Sequence, residues 1–70
     1  MTRLENSIKF YEARISEEQK RECRGLAFDR TTVQEAERRE MSFPELLERN
    51  YVFALVETYR ADLYRMEECA

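Results

Sequence analysis

Seventy residues carry 12 basic and 15 acidic side chains, a net charge of −3, one glycine, one proline, two cysteines and no histidine. Without histidine the chain lacks the commonest general base and a usual zinc ligand, and a single glycine cannot build a phosphate-cradling loop. A chain this short hides only about 60% of its unfolded surface, so one domain over residues 1–70 is expected, with self-association or a partner chain supplying the missing burial.

Scarce breakers together with abundant Glu, Arg, Leu and Ala predict an all-α fold, and an apolar content of 43% is too high for a disordered chain. Thr2 and Glu5 stand at capping-box spacing and open a first helix over Thr2–Arg24. Met1, Leu4, Ile8, Tyr11 and Ile15 follow one another at spacings of three and four, a narrow apolar stripe of the kind that seats against one neighbouring helix. Ser16 with Gln19 is a second start signal, so a break near Ser16 is the alternative to one continuous helix. Gly25 is the natural stop, because glycine accepts the left-handed backbone of a C-cap. The segment Leu26–Thr31 reads either as a loop or as chain plugged into the core.

Thr32 and Glu35 form a further capping box, opening a short polar helix over Val33–Glu40 that turns Val33 and Ala36 inward. Ser42, Pro44 in the first turn and Glu45 give the clearest start in the chain, with Met41 and Leu46 placed as a hydrophobic staple. From Phe43 no breaker appears until about Glu68. Val52, Leu55, Val56, Tyr59, Leu63 and Met66 share one side of this long helix and form the expected core face. A second stripe, Leu46, Phe53 and Tyr64, lies about 100° away. The architecture expected is two long antiparallel helices with a short connecting helix, a three-helix arrangement completed by oligomerisation. In it the Leu4–Ile15 stripe faces the C-terminal half of the last helix.

Candidate chemistry is thin. The adjacent pairs Glu17–Glu18 and Glu67–Glu68 point about 100° apart on a helix and cannot share a proton. No catalytic, cofactor-binding or metal-binding residues are assigned, and the expectation is a protein that is not an enzyme. Cys23 and Cys69 match no metal spacing; they read as reduced thiols, with one Cys23–Cys69 bridge as the alternative. The basic groups Lys20, Arg21 and Arg24, and Arg38 with Arg39, read as solvated faces. Residues 1–30 sum to +1 and residues 31–70 to −4, so no basic stripe marks a nucleic-acid footprint. No apolar run spans a membrane and no apolar leader opens the chain, which gives a cytoplasmic expectation.

The segments Val33–Glu40 and Pro44 onward have the cadence of a helix-turn-helix, with Ala36 as the small residue of its first helix. Glu40, however, stands where the turn glycine is usual, and Glu35, Arg39 and Arg49 stand where burial is needed. A transcription-associated protein with a degenerate motif therefore ranks second. The aromatic residues point elsewhere: Phe10, Leu46, Phe53 and Tyr64 are the candidate partner-binding residues, the partner being this chain itself or a host protein.

The opening Met-Thr-Arg-Leu-Glu-Asn-Ser-Ile, the Glu/Arg-rich helices and the short length resemble small accessory proteins encoded in the early regions of tailed, lambda-like phages. The resemblance implies a small regulatory protein without enzymatic activity, a phage accessory protein that redirects a host process by protein binding. It carries no residue-level assignment.

Overall fold

A computed structural model describes residues 3–69 and contains four helices: α1 (Arg3–Glu12), α2 (Glu17–Asp29), α3 (Val33–Arg38) and α4 (Phe43–Cys69). The chain is all-α, with one long helix against which the other three are laid. The 27 residues of α4 reach about 40 Å at 1.5 Å per residue and account for the 45 Å long dimension of the molecule. Met1 and Thr2, and with them the expected Thr2 cap, lie outside the described residues.

The long first helix of the sequence reading is two helices. Ser16 accepts the Gln19 amide in its side chain, and the Gln19 side chain accepts the Ser16 amide at 2.8 Å. This reciprocal box satisfies orphan donors at the start of α2 and ends the alternative of one continuous helix. Gly25 does not stop α2, which runs on to Asp29. A glycine inside a helix costs only about 1 kcal/mol relative to alanine, and burial of Cys23 and Ala27 on either side of it outweighs that. The stop comes instead at the cap-rich stretch 29–32. There the Thr31 hydroxyl donates to the Ala27 carbonyl, and Thr32 turns to cap α3 through the Glu35 amide at 3.0 Å. Leu26–Thr31 is thus mostly helix, with Ala27 and Thr31 buried and Leu26 and Phe28 left exposed.

The helix α3 ends at Arg38 rather than Glu40, and Val33 faces solvent while Ala36 is buried. Glu40 carries a φ of 56°, the left-handed conformation that favours glycine. Its amide bonds the Glu37 carbonyl, and the Met41 amide bonds the Ala36 carbonyl at 2.9 Å, the paired bonds of a Schellman stop. Ser42 then caps α4 through the Glu45 amide, as the sequence reads.

The expected core face of α4 is only partly the observed one. Leu55 is fully enclosed and Val52, Val56 and Tyr59 are half-buried, but Leu63 and Met66 are exposed. The best-buried side chains are Cys23, Ala27, Leu46, Ala54 and Leu55, with Tyr51 and Ala36 beside them. Much of that core sits on a side of α4 that carries few large apolar residues. There α2 runs antiparallel to α4: Gln19 donates to both Asp62 carboxylate oxygens at 2.9 and 3.2 Å, Cys23 Sγ lies 3.3 Å from Thr58 Oγ1, and Asn50 donates to Thr31 Oγ1 at 3.0 Å. From Gln19 to Cys23 and on to Thr31, just past the end of α2, each step of four or eight is matched by the same step back along α4. The α1 stripe lies on the flank that the sequence does mark as apolar: Ile8, Tyr11 and Ile15 pack on the core, and the Tyr11 and Tyr59 rings meet edge-on at 5.6 Å. Beyond Asp62, the apolar residues Leu63, Tyr64 and Met66 are all exposed.

Candidate functional site

The outward side of α4 is the first candidate. Phe53 and Tyr64 are separated by eleven residues, close to three full turns, and so stand on one line of the helix. They are 50% and 67% exposed, an unusual state for aromatic rings in a chain with so small a core. The Arg49 guanidinium lies 5.8 Å above the Phe53 ring, a cation–π contact that steadies the ring in water. At the far end, Arg60, Leu63, Tyr64 and Glu67 surround a surface hollow of about 320 Å³. These four residues have the i, i+3, i+4, i+7 spacing of a socket that receives a single side chain from a facing helix.

Of the four candidate contact residues, Phe53 and Tyr64 are brought together on this face. Leu46 is not part of it: at 1% exposure it is core, and its place in the second stripe is corrected. It lies on the same side of the helix wheel, yet near the α4 start, where α3 packs on α4. Phe10 lies on α1, edge-on to Tyr11 at 5.0 Å and with the Arg14 guanidinium 3.5 Å from its ring centre. It belongs to a separate patch.

A second candidate lies between α2 and α4, where Arg24, Ala27, Phe28, Leu47, Glu48 and Tyr51 line a largely apolar hollow of about 300 Å³. Sequence reasoning missed it: Arg24 reads as solvated, Ala27 and Phe28 lie in the stretch left open between loop and core, and Leu47 and Tyr51 fall on neither apolar stripe of α4. At its edge the Tyr51 hydroxyl donates to Glu12 Oε2 at 2.7 Å, and Arg24 reaches the same oxygen at 3.4 Å. Burial, then the hydrogen bond to the Glu12 carboxylate, raise the Tyr51 hydroxyl above its ordinary value. That makes Tyr51 a donor that stays protonated, tying α1, α2 and α4 together at one point. The raised value keeps this oxygen in its protonated, weakly nucleophilic form.

No protein-family model, curated protein or solved structure matches this chain. What bears on function is therefore the surface itself. Among the described residues no group of three His, Cys, Asp or Glu side chains is placed to hold a metal ion, and no helix is long and apolar enough to cross a membrane. Cys23 is a free, buried thiol against Thr58 and is not in a bridge. Around α3 the charges are occupied locally. Glu35 pairs with both Arg38 and Arg39, and the Arg38 hydrogen bond holds its carboxyl below the usual range.

Proposed function

We propose that this chain is a non-enzymatic helical protein–protein interaction module whose working surface is the outward side of α4. The observation that carries this reading is the pairing of Phe53 and Tyr64, two exposed aromatic rings on one line of a long helix, above an i, i+3, i+4, i+7 socket. Exposed aromatic anchors on one helix face are how helical modules grip partners, since aromatic residues bury large areas at low entropic cost. In its finer form the module is a small phage-type regulator that engages a host protein, a reading that rests on the resemblance of the opening sequence and of the chain's style.

The test is affinity capture with the full chain and with Phe53→Ala. The variant should lose most of the captured partner while its far-UV circular dichroism stays that of the parent. If Phe53→Ala unfolds the chain, or retains its partner undiminished, the surface is misassigned.

Two observations favour a second reading, transcription-associated action through a degenerate helix-turn-helix. Ala36 and Leu46 are both buried, and Glu40 adopts the left-handed turn conformation that the motif usually gives to glycine. Against it, α3 has six residues and the first turns of α4 present Glu45 and Glu48 toward any phosphate backbone. A gel shift titrated with salt separates the two, since phosphate contacts make affinity fall steeply as salt rises.

A further inference from the structure

We infer that the partner of the outward α4 face is a second copy of the same chain, paired antiparallel through α4 about a twofold axis between Glu57 and Arg60. This inference rests on the reading of that face as an interaction surface and names its occupant.

Down the exposed line of α4 the side chains run Arg49, Phe53, Glu57, Arg60, Tyr64, Glu68, at steps of four, four, three, four and four. The spacing keeps all six on one side of the helix, and all six are exposed. The order is self-complementary when read against itself in reverse. With a second copy running the other way, Arg49 meets Glu68, Phe53 meets Tyr64 and Glu57 meets Arg60, and the twofold axis repeats each pair. Every charge faces an opposite charge and every ring faces a ring. A self-complementary patch of this kind is what a twofold interface requires, because one surface must serve both copies.

Two further features fit the same register. Phe53 of the second copy falls opposite Tyr64, at the mouth of the hollow formed by Arg60, Leu63, Tyr64 and Glu67. A side chain entering a four-residue socket is the packing unit of paired helices, and an aromatic pair adds to it. The line also fits the free length of α4. It begins one turn after Leu46, the last outward-side residue that is buried, and ends one residue before the end of the helix. Among the described residues, Glu57, Arg60 and Glu68 form no ion pair within their own chain, so their charges are free to be met by another.

The test is sedimentation equilibrium on the full chain, with Arg60→Glu, Glu57→Arg and the double exchange. The parent should associate to a dimer. Either single reversal sets like charges face to face twice per dimer and should raise the dissociation constant by roughly tenfold or more. The double exchange restores opposite charges and should return the constant to within about threefold of the parent, since exchanging both members of the axial pair leaves their signs complementary. Circular dichroism of each variant checks that helicity is kept. A parent that stays monomeric at every concentration overturns the inference, as does a dimer indifferent to the single reversals or one that the double exchange fails to restore. A monomeric chain that still captures a foreign protein through Phe53 would overturn the second copy alone and leave the wider proposal standing.

Discussion

On the α1 side, Ile8, Tyr11 and Ile15 pack against the buried cluster and the Tyr11 ring meets Tyr59 of α4; on the α2 side, the small residues Cys23 and Ala27 are buried in that cluster with Ala54, Cys23 lies against Thr58, and the Gln19–Asp62 and Asn50–Thr31 hydrogen bonds flank them. The first contact depends on the area of large side chains removed from water. The second depends on close approach, since small side chains let two helices run near each other and fix their register through polar bridges. One helix, α4, serves both kinds of neighbour on adjacent sides. The two contacts should therefore fail under opposite changes: the α1 side to truncation, the α2 side to enlargement.

The sharpest way to break this contrast is Ala54→Leu. Ala54 is buried in the cluster that also holds Cys23 and Ala27, so a larger side chain there must displace its neighbours. A loss of roughly 1–3 kcal/mol is expected in urea denaturation, the usual cost of overpacking. An unchanged midpoint would mean that the α2 contact is loose, and the contrast would collapse.

Next in size is Tyr51→Phe, which removes the one hydroxyl joining the two contacts through Glu12. At neutral pH it should cost about 1 kcal/mol, the net worth of a typical hydrogen bond. Its signature is in the pH dependence. The folded chain holds the Tyr51 proton more tightly than the unfolded chain, whose tyrosines titrate near 10.0. Below that pH the contribution is fully present. As pH rises beyond it the unfolded state releases its proton first, so stability falls until the folded value is passed. The parent should therefore lose melting temperature above pH 10 more steeply than the Phe variant, and parallel curves would remove Tyr51 from this role.

The smallest effect expected is a gain. Gly25 lies inside α2 with nothing within 4 Å of the position a Cβ would occupy. Gly25→Ala should stabilise by about 0.5–1 kcal/mol, the helical penalty of glycine removed. Thermal melts resolve that difference, and a loss in its place would show that α2 needs more than helical backbone at this point.

The same contrast explains which parts of the fold are legible in the sequence. The all-α class, the α4 start at Ser42 and the α1 stripe rest on capping chemistry and apolar spacing, both local and strong. The α2 contact left no such mark. Asp62, Thr58 and Asn50 look like solvent residues until a second helix supplies their partners, and Cys23 and Ala27 are too few to make a stripe. Leu63 and Met66 misled in the other direction: they continue the apolar pattern to positions that are exposed. Of the candidate contact residues, the exposure of Phe53 and Tyr64 was legible because their rings fall off the main stripe. Leu46 was not separable from them, since only the turn of α3 onto α4 shows that it is covered.

Cys23 gives the α2 contact an internal clock. The residue is 1% exposed and its sulfur lies 3.3 Å from the Thr58 hydroxyl, so a thiol reagent in solution meets it only when α2 lifts from α4. In a chain whose Cys69 is replaced by serine, the rate of alkylation would count those openings one by one. The residue that looked like a spare thiol in the sequence is then a timer for the least visible joint in the molecule, and it would tell separation of α2 apart from melting of the whole chain.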